Sequence, residues 1–174
     1  MTQVSIRPAG APDIPAITRI YARAVQHGTA SFEIEAPDEA EMARRQRALI
    51  DGGYPYLVAE LGGAVVGYAY AGPYRTRTAY RWSVEDSVYV DAGIHRRGVG
   101  GVLLERLIAE AETRGFRQMI AVIGDSDQAA SIALHRRAGF RLIGTIENVG
   151  FKHGRWLDSV LMQRALGDGA TAKP

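Results

Sequence analysis

The chain has 174 residues, 47% hydrophobic and 23% charged, which is one domain's length with enough apolar mass for a core and excludes disorder or a collagen-like fibre. It contains no cysteine, so disulfides, thiolate metal sites and cysteine nucleophiles drop out together, and an intracellular setting is favoured. The 21 basic and 19 acidic residues leave a net charge of +2, too little for a general grip on a polyanion, so nucleic acid is not an expected partner.

No apolar run reaches the roughly 20 residues that span a bilayer, and the opening MTQVSIRPAG lacks the apolar centre of a secretion signal. The expectation is a soluble, cytoplasmic protein with no membrane partner. In chain order, Val4-Ser5-Ile6-Arg7 alternates as a short strand. Asp13 is the expected N-cap of a first helix, with Ile14, Ile17, Tyr21, Ala24 and Val25 at helical spacing. Residues 28–37 read as a loop. Asp38 with Glu41 three residues on resembles a capping arrangement, opening a second helix that runs to about Ile50 and stops at Gly52-Gly53.

Residues 56–61 and 64–74 are β-rich runs around Gly62-Gly63, the strongest hairpin signal in the chain, and a third antiparallel strand is expected over residues 84–90. There the pattern changes. A glycine-containing loop leads into a long amphipathic helix with Val99, Leu103, Leu104, Leu107, Ile108 and Ala111 on one face. A strand over 119–123, a helix over 129–137 and strands over 140–147 and 156–162 follow. With no repeat and no linker, this is one domain over residues 1–166 with a flexible tail at 167–174. The fold class is α/β (α+β): a mixed sheet, antiparallel first, with one parallel pair at 84–90 and 119–123.

The chemically informative segment is V-Y-V-D-A-G-I-H-R-R-G-V-G-G-V-L-L, residues 88–104. A strand runs into a loop whose glycines open a helix, so unpaired backbone N–H groups and the positive end of the helix dipole converge, as a pyrophosphate requires. A Cβ at Gly98 or Gly100 is expected to block approach of phosphate oxygens, and Arg96 and Arg97 add cationic reach. The competing reading is a tight turn with close helix packing. A dinucleotide fingerprint fits badly, because its third glycine falls on Leu103, and no Walker sequence G-x-x-x-x-G-K-[ST] occurs. His27, His95, His135 and His153 are scattered and no H-E-x-x-H is present, so no metal is expected. A G-x-S-x-G elbow is also lacking.

The stretch H-R-R-G-V-G-G-V-L-L resembles the acyl-CoA pyrophosphate loop, Q/R-x-x-G-x-G/A, of the GNAT N-acetyltransferase superfamily, with His95 at the Q/R position. A-A-S-I-A-L-H-R-R-A-G-F, residues 129–140, resembles the superfamily's next motif; Gln128 stands where Asn is usual and His135 where Tyr is usual. Residues 70–82, Glu85, Val88-Tyr89-Val90 and residues 150–156 are similar to phosphinothricin N-acetyltransferases and their methionine sulfone and sulfoximine relatives, a likeness covering nearly the whole chain.

That resemblance implies a GNAT fold whose parallel strand pair splays around acyl-CoA with helices on both faces. It also implies a homodimer and acetyl-CoA as co-substrate, held by Val88, Tyr89, Val90, His95, Arg96, Arg97, Gly98, Val99, Gly100, Gly101, Gln128 and Ser131. Glu85 is implied as general base and His135 as donor to the leaving thiolate or proton relay. Read without the family, Glu85 is an ordinary ion-pair partner for a cation such as Arg81, and His135 a satisfied structural histidine. A small-molecule amine with an anionic tail wants fixed cations: Arg75 first, then Arg77, Lys152 and His153, with Phe32 and Tyr80 as walls and Asp86 and Ser87 beside Glu85. Two other functions remain open. A peptide N-terminal acetyltransferase shares fold and donor, and a non-catalytic acyl-CoA sensor keeps the glycine loop but has no use for Glu85.

Overall fold

The computed structural model describes residues 4–94 and 97–174. A seven-stranded sheet runs in the order β1-β2-β3-β4-β5-β7-β6. Its strands are β1 (Ser5–Pro8), β2 (Tyr56–Leu61), β3 (Ala64–Pro73), β4 (Ser83–Val90), β5 (Gln118–Gly124), β6 (Arg141–Lys152) and β7 (Arg155–Ala165). The helices are α1 (Ile14–His27), α2 (Glu39–Asp51), α3 (Val99–Thr113) and α4 (Ala129–Arg137). All pairings are antiparallel except β4 with β5, which α3 links as a crossover. Among the described residues no helix is long and apolar enough to cross a membrane.

Strand alternation sorts the core into two layers. Tyr56, Val58 and Tyr68 meet Ile14, Ile17, Tyr21 and Met42 of α1 and α2 on one face. Leu57, Ala59, Ala69, Ala71 and Val84 meet Val99, Leu103, Leu104, Leu107 and Ile108 of α3 on the other. Leu103, Leu104 and Leu107 are fully buried, each contributing about 2 kcal/mol of burial. Gly62 and Gly63 turn the first hairpin with φ of +60° and +81°, the two left-handed positions such a turn needs.

Several local expectations change. Asp13 holds the N-cap position of α1, as expected, but its side chain makes no capping bond. It lies in a preceding 3-10 turn, where its buried carboxylate accepts from Arg7 (2.8 and 2.7 Å) and from the Gly10 N–H (2.8 Å), tying β1 to the start of α1. Asp38 does cap α2, accepting from the Glu41 N–H at 2.8 Å. Glu41, however, turns its carboxylate to Arg44 and Arg45. The last two strands are longer than expected and form a hairpin, because His153 and Gly154 at φ +52° and +76° make a second left-handed pair. After β7, Leu166 is buried and Asp168 pairs with Arg117 at 3.2 Å.

β3 carries a bulge at Val66, so that Ala59 faces Gly67 and Glu60 faces Val65. Gly67 sits under α3: a Cβ there would lie 3.0 Å from the Tyr89 carbonyl oxygen, 3.1 Å from Leu103 and 3.4 Å from Val99. The missing side chain lets the N-terminal turn of α3 press onto β3 and β4. Gly67→Ala is expected to cost about 2 kcal/mol through overpacking. In urea unfolding it should lower the midpoint and leave the slope unchanged.

Candidate active site

Parallel pairing of β4 with β5 extends only over Ser83↔Gln118, Val84↔Met119, Glu85↔Ile120 and Asp86↔Ala121. Beyond it β4 stays with β3 as far as Val90, while β5 stays with β7 as far as Gly124. Each strand follows its other partner and a groove opens between them. Its walls include Ser87, Val88, Ile123, Gly124, Gln128 and Ser131. The Asp91 N–H donates to the Val66 carbonyl and the Tyr74 N–H to that of Ser83, so odd-numbered residues of β4 bond β3. The backbone groups of Val88 and Val90 therefore face the groove, and those of Tyr89, expected to share this role, face β3. The side chains alternate as expected, Val88 and Val90 toward α3 and Tyr89 toward α1.

At the groove's end α3 begins. Gly98 is its N-cap at φ +78°, with open space where a Cβ would stand. The Gly101 and Val102 N–H groups return to the Gly98 carbonyl, and the first-turn amides of Val99 and Gly100 have no intrahelical partner by helix geometry. A Cβ on Gly100 would stand 3.5 Å from Leu134 and 3.7 Å from Val90, and one on Gly101 4.0 Å from Leu134, ordinary contact distances at which α3 meets α4. The Val99 side chain is core and Arg97 is exposed, while His95 and Arg96 lie outside the described residues.

Glu85 and Ser87 lie on the α1 and α2 side of β4, half-buried, and Ser87 stands opposite Tyr70 in the ladder with β3. Burial pushes the Glu85 carboxyl up, the neighbouring Asp86 charge adds to this, and Arg75 opposes it; the net direction is upward. No ion pair to Glu85 forms among the described residues, so the Arg81 pairing does not arise. Arg75 is exposed, stacked over the Tyr74 ring at 4.3 Å, and Tyr80 meets the same ring edge-on. Arg77 is exposed at the start of a 3-10 turn.

Asp86 points to the opposite face from Glu85. Its carboxylate accepts from His135 Nε2 at 2.9 Å, and His135 Nδ1 donates to the Ser131 carbonyl at 2.8 Å. Burial alone would lower the His135 pKa, but the Asp86 hydrogen bond and charge, with the Ser131 carbonyl, outweigh it and raise the value. Both ring nitrogens face acceptors, so the ring is held between Ser131 and Asp86, while the second Asp86 oxygen, Oδ1, has no hydrogen-bond partner among the described residues. Lys152 and His153 are likewise engaged. The buried Lys152 ammonium donates to the Ser31 carbonyl at 2.7 Å, and His153 Nε2 donates to that of Gly28 at 3.2 Å. Gln128 donates to the Thr29 hydroxyl at 2.9 Å. Three predicted binding residues thus fasten the loop over residues 28–32, which carries Phe32 across the sheet.

The chain matches the Acetyltransferase (GNAT) family over residues 16–140. It is 52% identical over 162 residues to the phosphinothricin N-acetyltransferase of Alcaligenes faecalis, covering 93% of this chain and 82% of that protein. It is 45% identical over 163 residues to the L-methionine sulfoximine/L-methionine sulfone acetyltransferase of Pseudomonas paraeruginosa, covering 91% and 92%. The crystal structure of a GNAT superfamily phosphinothricin acetyltransferase from Sinorhizobium meliloti in complex with AcCoA shares 50% identity. It aligns at a TM-score of 0.96, covering 100% of this chain and 94% of that one. The chain belongs to the GNAT acetyltransferase family. It is an acetyl-CoA-dependent N-acetyltransferase. The groove fits that donor: β4 offers Val88 backbone to an extended pantetheine amide, and the α3 N-terminus offers amides to a diphosphate.

Sequence reasoning missed the glycines under Phe32. A Cβ on Gly124 would overlap the Thr29 carbonyl oxygen, and one on Gly150 would come within 2.5 Å of the Phe32 ring. An isolated glycine inside a strand pattern is the available signal of such close approach. The Asp86–His135 pair left no sequence signal, because its members are 49 positions apart. The His135 pKa is raised by folding, so the pair's stabilisation is complete below the ordinary histidine value of about 6.5 and fades as pH rises through the raised value. In the Asp86→Asn variant of this GNAT enzyme, the loss of unfolding free energy should be about 3 kcal/mol at pH 6 and smaller at pH 9. Denaturation at the two pH values checks this, and an equal loss at both would contradict it.

Proposed function

We propose that this acetyltransferase acetylates the amino group of a small amino-acid-like acceptor of the phosphinothricin, methionine sulfone and methionine sulfoximine kind, with Glu85 as general base. The observation that carries this reading is Glu85 itself: a half-buried carboxyl without an ion pair, held above the ordinary glutamate range, where β4 parts from β5. A base that must take a proton from an ammonium near neutral pH gains from such a shift. The names carried by the similar proteins support the acceptor class.

In this mechanism Glu85 takes one proton from the acceptor ammonium, directly or through a water, and the freed amine attacks the thioester carbonyl. The Val88 N–H, at the edge of the groove, polarises the carbonyl oxygen. The N–C bond forms, the C–S bond breaks, and the second proton of the attacking nitrogen leaves with the sulfur, giving amide and free coenzyme A. Arg75, near enough to Glu85 to oppose its upward shift, offers a two-pronged contact to the acceptor's carboxylate or oxygen-rich tail. Phe32 forms a wall. His135 is a positioning residue that fixes α4 against β4, and Lys152, His153 and Gln128 hold the Phe32 loop.

The protein acts as a homodimer in this reading. β6 is an edge strand, and Leu142, Ile143, Ile146, Val149 and Phe151 are exposed on it, apolar surface that a second copy would cover. Glu85→Gln is expected to lower kcat by about 10²- to 10⁴-fold while leaving the acetyl-CoA dissociation constant unchanged. In the parent enzyme the acidic limb of kcat/KM should fall above the ordinary glutamate value of about 4.3. Free-thiol release with phosphinothricin, methionine sulfone, methionine sulfoximine, ordinary amino acids and a peptide N-terminus ranks the acceptors. A preference for the peptide would overturn the small-molecule assignment.

A further inference from the structure

A cavity of about 290 Å³ lies between α2 and the tyrosine-bearing face of β2 and β3. Two of its walls join it to the surroundings of Glu85. Tyr70 is the diagonal neighbour of Glu85 in the ladder of β3 with β4, on the same face, and near enough for the Glu85 charge to act on its hydroxyl. Leu49 rests on Gly72, the residue directly opposite Glu85: a Cβ on Gly72 would stand 3.2 Å from the Leu49 side chain. The glycine lets this wall settle against the strand beside the base, so the cavity continues the acceptor space inward from Glu85.

The lining is largely apolar, with Met42, Ala48 and Leu49 of α2 set against Tyr56 and Tyr70. The cations at its rim are already neutralised. Arg44 is paired with Glu41 at 2.7 Å, and Arg45 with Glu33 at 2.6 Å and Glu41 at 2.7 Å. An anionic tail entering here would leave water, meet no uncommitted guanidinium and lie near the Glu85 charge. Arg75 is placed differently. It acts on Glu85 but does not line the cavity, and it donates only to the Tyr74 carbonyl, at 2.9 Å, with no carboxylate partner among the described residues. The free cation therefore stands outside the cavity, where the part of an amino acid that is always anionic, its α-carboxylate, can meet it.

We infer that the acceptor's side chain occupies this cavity while its amine meets Glu85 and its α-carboxylate meets Arg75, so that the enzyme selects α-amino acids with uncharged, largely apolar side chains, thioether and aromatic ones included, over those with an anionic tail. This selection presupposes the amine acetylation at Glu85 proposed for the enzyme. An apolar cavity of about 150 Å³ holds benzene, so one of about 290 Å³ admits a phenylalanine ring as readily as a methionine chain. Methionine sulfone satisfies the requirement because its tail carries no charge. Phosphinothricin, with an anion at the end of its chain, is the poorer acceptor.

Free-thiol release with single acceptors measures the selection. The kcat/KM values for L-methionine, L-phenylalanine and L-methionine sulfone should each exceed that for phosphinothricin by about tenfold or more, and L-glutamine should exceed L-glutamate, its charged near-isostere. In Ala48→Trp, which narrows the cavity at its exposed rim, the ratio of kcat/KM for phenylalanine to that for alanine should fall about tenfold, through KM. That ratio is insensitive to a general loss of activity, and an unchanged acetyl-CoA dissociation constant reports a folded variant. Phosphinothricin used as well as methionine, glutamate used as well as glutamine, or a ratio unmoved by Ala48→Trp would each overturn the selection while acetylation at Glu85 stands. Thiol release with none of these amines would overturn both.

Discussion

The β4 strand cannot stay bonded to β3 and β5 over its whole length, and the functional architecture depends on that conflict. Its pairing with β3 runs through Val90, whereas its pairing with β5 ends at Asp86. The half-strand beyond Asp86 has one edge satisfied and one edge turned to a groove, which in a sheet is a standing invitation to an extended partner. The close seat of α3 over Gly67 fixes where the helix N-terminus meets that groove, so the strand edge and the first-turn amides border the same space.

The period of two in β4 then separates two adjacent carboxylates into different jobs. Glu85 projects toward α1 and α2, half-buried and unpaired, and burial with the Asp86 charge raises its pKa. Asp86 projects toward α4, buried, and is bound to His135. In the proposed mechanism one environment makes a base and the other a strut, although the residue types are nearly the same and sit side by side. The strut also matters chemically, since the charge on Asp86 is one of the causes that keep Glu85 basic.

Much of this was legible in the sequence where one residue type answers to one local rule. Gly62-Gly63 forced a hairpin because two successive left-handed residues leave few alternatives, and the Asp38 cap followed from a single backbone hydrogen bond. The order of elements and the parallel pair came from hydrophobic period and the crossover rule. Sequence reasoning failed where the tertiary partner decides. Asp13 has the position of a cap, but Arg7, six residues earlier on β1, takes its carboxylate from the helix. His153-Gly154 is a hairpin turn whose first residue is not a usual turn former, so two long strands were read as two short ones. Lys152, His153, Gln128 and His135 were read as groups available to ligands. Folding instead engages each with a loop carbonyl, a loop hydroxyl or a buried carboxylate. A sequence gives the charge of such a side chain but not whether the fold has already used it.

The claim on which the account rests is that Val88, on the edge of β4 that has parted from β5, binds the donor through its backbone. Residue-resolved amide hydrogen exchange with and without acetyl-CoA tests it most directly. Saturating acetyl-CoA should slow exchange at Val88 and at the first-turn amides of α3 by at least tenfold, while Glu85 and Ser87, already bonded to β3, change little. Unaltered exchange at Val88 under conditions where acetyl-CoA is demonstrably bound would contradict the account.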